Sequence, residues 1–556
     1  MRSAFRIVSS ARLASLAAIF VMAILGACSS SSSSPADGGA PATSIAAGLD
    51  VPTDKGTVHG ATAGGVRSFL GIPFAGSTGG ANRWKPPQPA APWTGKRDAT
   101  KLGPICPQID PSTMAYATMA DEDCLSLNVW TPDPAPTKPL PVMVWIFGGA
   151  FEFGSGGAAP YTGAHLVPKG DVVVVTLNYR VGSLGFLGHR ALAAEEPSGA
   201  TGNYGLLDQR AALQWVQTNI GPFGGDKTNV TMFGESAGGK SVCLQLVSPG
   251  SRGLFNRAIV ESGLCTIPGL VLADAESQGD RFAQAMGCTD PTMALTCLRG
   301  KSAQEVIQGP ANAPAQLPGG IFYQDDATSF FFQPIVDGQF TTDEPAQLFA
   351  DKKAAPVDVL EGANTSEGTL FHTGVFGDTP VMTTMDYEAA LTRRFGSNAV
   401  MVEAQYPAAS YPTPNDALTQ VTADSFFVCP ARKLAQLLDA AGNKTYLYSF
   451  NGTLDATPLP ALAGKAFHSS ELPYVFGEKF LLGSVPPANQ PLVGSMEGYW
   501  TRFAATGDPN GGTDPMWPAF TTAGDAYVKL DQPIGMGTGL ETTACAFWDG
   551  IAAVAP

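Results

Sequence analysis

Histidine is scarce in this sequence, with five residues among 556. Any chemistry that needs an imidazole must use His59, His165, His189, His372 or His468, so a general base can be sought by elimination. Positive charge is short as well. Lys and Arg number 33 against 48 Asp and Glu, and the formal charge is −15. That balance argues against nucleic acid or an anionic membrane surface as a partner. Charged side chains are only 15% of the chain and hydrophobic ones 44%, a globular composition with no sign of global disorder. There is no internal repeat. After the first residues there is no further apolar run of transmembrane length. A chain this long can bury a large core, as one big domain or as two to three smaller ones.

The first residues read as a targeting signal. Arg2, Arg6 and Arg12 form a basic head, and residues 13–25 a mostly apolar core. Leu25-Gly26-Ala27-Cys28 follows. A leucine three before a cysteine, with small residues between, resembles the bacterial lipoprotein cleavage box. The resemblance implies a signal peptide over residues 1–27, removal before Cys28 and lipidation of Cys28. Ser29 after the cysteine resembles proteins sent to the outer membrane. Residues 28–43, rich in Ser, Gly and Pro, read as a flexible tether. The expectation is an exported lipoprotein at the outer membrane or cell surface, whose mature chain carries −18. Setting Cys28 aside leaves eight cysteines, an even number that invites pairing in an exported chain. Cys106 with Cys124, and Cys288 with Cys297, are close enough in sequence to close small loops.

The globular part is expected over residues 44–556. Residues 56–60 and 66–74 read as short strands of an N-terminal hairpin. Residues 125–130 alternate as a strand does. Residues 141–147 and 171–178 are continuous apolar runs, as in strands buried on both faces. Residues 207–219 read as a helix, and residues 230–233 and 258–261 as further strands. Residues 356–362 and 444–450 resume the rhythm after a Gly-, Pro- and Ala-rich interruption from about 270 to 350. The β-α alternation predicts an α/β fold with a doubly wound, mainly parallel sheet. The interruption is then an insertion over the sheet's carboxyl edge, where such folds bind ligands.

One stretch organises the rest. Gly234-Glu235-Ser236-Ala237-Gly238 lies between a β-like run (229–233) and a helical run (240–246). A serine on a tight strand-to-helix turn has its hydroxyl pushed out of the sheet, and small residues two before and two after let the backbone turn. The helix N-terminus aims N–H groups at developing negative charge. A serine hydroxyl becomes a nucleophile when a base takes its proton, and the base is usually a histidine steered by a carboxylate. In folds with this elbow the chain order is serine, acid, histidine. Only His372 and His468 follow Ser236. His372 shares a segment with the best acid candidate, Glu367, and leaves little room for an acid before it. His468 sits on a loop after the 444–450 strand. Glu367 lies just past the strand that ends near Gly362. Asp325, Asp326 and Asp378 compete with it but lack that strand context. Phe147-Gly148-Gly149-Ala150-Phe151 follows a buried strand, so Gly149 and Ala150, with Ala237, can offer N–H groups to an oxyanion.

These segments, with Gly71-Ile72-Pro73-Phe74-Ala75, Arg83-Trp84-Lys85-Pro86-Pro87, residues 122–130, Asn178-Tyr179-Arg180-Val181-Gly182, residues 202–209 and Gly507-Asp508-Pro509-Asn510, resemble type B carboxylesterases over nearly all of the mature chain. That α/β-hydrolase family includes the cholinesterases. The resemblance implies Ser236 as nucleophile, Glu367 as acid, His468 as base, and an oxyanion hole at Gly149, Ala150 and Ala237. The family usually has a third glycine where Ala150 stands. Glu235 and Glu471 match acidic positions that support the site in relatives. The resemblance also implies disulfides Cys106–Cys124, Cys288–Cys297 and Cys429–Cys545, and leaves Cys243–Cys265 by subtraction.

The 106–124 loop holds Tyr116 but no tryptophan. Cholinesterases carry a tryptophan there to hold a quaternary ammonium by cation–π attraction, so choline esters are not expected. Phe330 is the candidate to limit acyl length. The expected activity is serine ester hydrolysis of a small-molecule ester, with no metal or organic cofactor. The rivals are a lipase acting on longer-chain lipid esters and a non-catalytic binding module of the same fold.

Overall fold

The computed structural model describes residues 44–309, 330–373, 380–455 and 457–551. The expected signal peptide, Cys28 and the expected tether to residue 43 lie outside the described residues, as do Asp325, Asp326 and Asp378.

Eleven strands form the main sheet: β1 (Ala61–Ala63), β2 (Val66–Pro73), β3 (Ser126–Pro132), β4 (Leu140–Ile146), β5 (Val173–Leu177), β6 (Gly225–Glu235), β7 (Arg257–Glu261), β8 (Asp358–Asn364), β9 (Thr445–Phe450), β10 (Ala526–Leu530) and β11 (Gly535–Thr538). Their spatial order is β11-β10-β9-β8-β7-β6-β4-β5-β3-β2-β1. The seven strands from β10 to β5 run parallel, and antiparallel pairs close both edges. The apolar runs in β4 and β5 are central for the reason their composition suggests. Val142, Val144, Val173, Val174 and Val175 have no exposure, because helices cover both faces.

One layer carries α1 (Tyr204–Asn219), α2 (Ala237–Val247) and α3 (Cys429–Ala441), and the opposite one carries α4 (Gln490–Thr506). Under α4, Trp145 packs on Phe233 and Phe476 with ring centroids 4.8 and 4.9 Å apart. Helices 384–395, 399–405 and 414–422 enclose a smaller core with Ile551, Phe547 and Trp548 of the carboxyl-terminal segment. Four disulfides are formed: Cys106–Cys124, Cys243–Cys265, Cys288–Cys297 and Cys429–Cys545.

The amino-terminal region departs from expectation. Residues 56–59 and 66–73 do not form one hairpin. Gly56–His59 pairs with Asp50–Thr53 in a separate small sheet, whereas β2 pairs with β1 and joins the main sheet. Each strand finds its partner across a two-residue loop. Between β1 and β2 that loop is Gly64-Gly65, at φ 58° and 79°, the left-handed pair that fits a hairpin to the twist of its strands. The expected interruption contains order of its own: Leu270–Val271 pairs in parallel with Ile335–Val336, and helices span 272–285, 294–300 and 303–308. It reaches the sheet's carboxyl edge, where the Phe332 N–H donates to Glu152, six residues past the end of β4.

Candidate active site

Strand β6 ends at Glu235 and α2 begins at Ala237, so Ser236 alone makes the turn. Its φ is 58° and its ψ −122°. A non-glycine residue in such a conformation costs on the order of 1–3 kcal/mol and persists where its surroundings fix it. They do so here: the Ser236 N–H donates to the Glu261 carbonyl at 2.9 Å, and the Ser236 carbonyl accepts the Lys240 N–H at 2.8 Å. Gly238 is required by close approach, since a Cβ there would lie 2.0 Å from the Ile146 carbonyl oxygen. Ser236 is partly exposed, while Glu235 and Ala237 beside it are buried. Cys243–Cys265 ties α2 to the segment after β7.

Glu367 and His468 come from distant loops and meet. The His468 Nδ1 lies 2.6 Å from the Glu367 Oε2. A carboxylate only accepts, so Nδ1 carries the proton and Nε2 faces away with its lone pair. The other oxygen, Oε1, accepts from the Ser262 hydroxyl at 2.5 Å and the Asn364 N–H at 2.7 Å. Glu367 has no exposure and His468 3%. The imidazole packs against the rings of Phe371 and Phe427, at 4.9 and 4.8 Å, and those two rings stack on each other at 5.7 Å. Its Nε2 makes no hydrogen bond among the described residues. Glu235 Oε1 stands 3.0 Å from Nε2, close enough for electrostatic attraction but poorly directed for a hydrogen bond. That same oxygen accepts from the Ser469 hydroxyl at 2.6 Å.

The loop after β4 turns sharply. Gly149 stands at φ 117°, Ala150 at 55° and Phe151 at 62°. Its carbonyl accepts the N–H groups of both Glu152, at 2.9 Å, and Phe153, at 3.2 Å. A Cβ on Gly149 would come 2.1 Å from the Phe153 carbonyl oxygen. Among the described residues, the N–H groups of Gly149, Ala150 and Ala237 donate no hydrogen bond. Three undirected donors beside a partly exposed serine hydroxyl and a carboxylate-steered imidazole are equipped for acyl transfer.

Electrostatically the site is a buried acidic cluster around one imidazole. Burial alone would lower the His468 pKa, but the Glu235 and Glu367 carboxylates outweigh it and hold the imidazolium above its ordinary value. Burial pushes Glu235 up, against the pull of His468 and Ser469. Burial also pushes Glu471 well up, with the Glu235 and Glu367 charges adding to it; the Asn364 side-chain amide donates to Glu471. Glu261, which accepts from the Trp500 indole N–H at 3.0 Å, is pushed up to about 8, chiefly by burial.

A model of the carboxylesterase family matches residues 47–548. The chain belongs to the carboxylesterase family. It is 36% identical over 529 residues to fumonisin B1 esterase of Sphingopyxis macrogoltabida, covering 90% of this chain and 91% of that protein. It is 37% identical over 493 residues to para-nitrobenzyl esterase of Bacillus subtilis, covering 87% and 95%.

In this carboxylesterase the structure brings Ser236, Glu235, Glu367, His468, Glu471, Gly149, Ala150 and Ala237 to one edge of the sheet. The ring of Phe330 packs on Phe282 at 6.0 Å and under Arg281. The other histidines have unrelated neighbours. His372 is buried against Thr422, at 2.8 Å, and burial pushes its pKa down to about 3. His59 lies 2.7 Å from Asp50, and His165 and His189 stand near Glu478 and Asp280. Sequence reasoning missed Ser262, Ser469, Phe371, Phe427 and Glu261. Only Glu261-Ser262, at the end of a predicted strand, carried any signal.

Proposed function

We propose that this carboxylesterase hydrolyses small-molecule esters through an acyl-enzyme on Ser236. His468 takes the hydroxyl proton at Nε2 as the Ser236 Oγ attacks the ester carbonyl. Glu367 holds the Nδ1–H and stabilises the imidazolium that forms. The tetrahedral oxyanion accepts from the N–H groups of Gly149, Ala150 and Ala237. On collapse His468 protonates the leaving alkoxide, and a water repeats the cycle on the acyl-enzyme. The observation that carries this reading is the His468–Glu367 pair at 2.6 Å beside a serine held at φ 58°. His468 Nε2 makes no hydrogen bond among the described residues, and catalytic hydrogen bonds of this kind form or tighten when substrate binds.

The names of both relatives favour an esterase over a lipase or a non-catalytic module. The test is kcat/KM on a short-chain p-nitrophenyl ester. Ser236→Ala and His468→Ala should each fall by about 10³-fold or more; a Ser236→Ala variant that keeps its rate overturns the reading. The same ester series, with lengthening acyl chains, should show no jump in rate at micelle formation. For localisation we propose removal of residues 1–27 and anchoring through a lipid on Cys28, with residues 28–43 as tether. The support is the Leu25-Gly26-Ala27-Cys28 box and the Ser- and Gly-rich stretch after it. Cys28→Ser should move the protein from the membrane fraction to the soluble one; unchanged partitioning contradicts the anchor.

A further inference from the structure

Glu152 sits in the turn that presents the Gly149 and Ala150 N–H groups, yet the acyl-transfer steps give it no task. Its Oε1 accepts the Phe332 N–H at 2.9 Å, so it bridges the oxyanion loop to the segment that returns over the sheet edge. Its Oε2 has no partner among the described residues. Among the described residues no cation acts on the carboxyl: burial pushes it up to about 8, and only the Phe332 N–H opposes that. The internal segments outside the described residues, 310–329, 374–379 and position 456, contain no Lys, Arg or His. The chain therefore supplies no counterion from them. A half-buried carboxyl with one hydrogen bond and no cation is costly to ionise. A ligand that brings its own cation removes that cost.

We propose that Glu152 determines specificity by pairing, through Oε2, with a protonated amine on the substrate, so that esters bearing an N–H ammonium group are preferred. The inference rests on Ser236 as the reacting centre. Glu152 follows Ala150 by two residues, so the ammonium would stand roughly 5–10 Å from the scissile carbonyl, as chain dimensions allow. An ammonium N–H donates directly to a carboxylate oxygen. A quaternary ammonium cannot, and the tryptophan that would hold one by its ring face is missing from the 106–124 loop.

The experiment uses esters in which the protonated amine and its neutral counterpart differ at one atom, with a trimethylammonio analogue that replaces the N–H by a methyl group. On the alcohol side these are dimethylaminopropyl butyrate, its neutral methylpentyl counterpart and the trimethylammonio analogue. On the acyl side they are p-nitrophenyl dimethylaminopentanoate and p-nitrophenyl methylheptanoate. The readout is the ratio of kcat/KM for the protonated-amine ester to that for its neutral isostere. Within one variant that ratio is insensitive to the fraction of active enzyme. In the wild type it should exceed one on at least one side, and exceed that for the trimethylammonio ester. In Glu152→Gln, which keeps an acceptor for the Phe332 N–H, it should fall about tenfold or more, equivalent to about 1.4 kcal/mol. A ratio that stays within about twofold of the wild type on both sides overturns the proposal. Neutral-ester hydrolysis that survives Ser236→Ala would instead overturn the nucleophile reading.

Discussion

Removing the Ser262 hydroxyl perturbs the site at one hydrogen bond. Glu367 accepts three donors: His468 Nδ1 on Oε2, and Ser262 Oγ and the Asn364 N–H on Oε1. In Ser262→Ala the carboxylate keeps two. A hydrogen bond to a charged group contributes about 1.5–3 kcal/mol. All of it reaching the transition state would slow the reaction by about 10- to 150-fold. The Asn364 N–H stays on the same oxygen and His468 Nδ1 on the other, so the loss of kcat/KM should lie toward the lower end, about 10- to 30-fold. Changing Glu367 to Gln should cost far more, on the order of 10³–10⁴-fold, because Ser262 and the Asn364 N–H keep the amide oxygen on their side, the amide NH2 faces Nδ1 and the imidazole is held in the wrong tautomer. Ser262 stands at φ 52°, so Ser262→Gly relieves backbone strain where Ala does not, and both remove the hydroxyl. If the hydroxyl is what matters, both variants lose rate to a similar extent, as read by p-nitrophenyl acetate turnover with thermal melts as a folding control. Wild-type kcat/KM in well-folded Ser262→Ala would refute the reasoning.

Three further outcomes follow from the same geometry. Against the lowering by burial, the Glu235 charge raises the His468 pKa together with Glu367, so Glu235→Gln should move the acid limb of the kcat/KM profile to lower pH; a limb that stays put or moves up contradicts the electrostatic reading. Glu261 holds its proton longer folded than unfolded, so its contribution to stability is complete below about pH 4.5 and is lost as pH rises toward about 8. Glu261→Gln still accepts from Trp500 and cannot ionise, and should lose less melting temperature than the wild type between about pH 5 and about pH 9. Cys243–Cys265 closes a 22-residue separation, and replacing both cysteines by serine should cost about 3 kcal/mol in denaturant unfolding, whereas an unchanged midpoint would show that the bond adds nothing.

The parts of the site that were legible in the sequence lie where a local pattern coincides with a strand end. Ser236 follows an apolar run and precedes a helix, Gly149-Ala150 follows β4, and Glu367 follows β8. The central strands were legible because β4 and β5 are apolar on both faces, which only a covered sheet explains. Contacts made by convergence were not legible. Ser262 reaches Glu367 across 105 positions and Ser469 reaches Glu235 across 234, and no spacing in the chain encodes either meeting. Phe371 and Phe427 come from two separate segments to pack against His468, and in one dimension each looks like an ordinary core aromatic. The two amino-terminal hairpins were missed for the opposite reason. Two nearby β-like runs invite pairing with each other, while the Gly64-Gly65 turn and the Asp54-Lys55 loop make still more local pairings cheaper in loop entropy. Phe330 was placed by resemblance, and its ring packs on Phe282 beneath Arg281.

The central claim is that one serine forms the covalent intermediate. Incubating the protein with an organophosphonate ester, followed by intact mass measurement and peptide mapping, tests it most directly. The account predicts one adduct per chain, on the peptide that contains Ser236, and no adduct in Ser236→Ala. A label on another residue, or stoichiometric labelling that persists in the alanine variant, would contradict it.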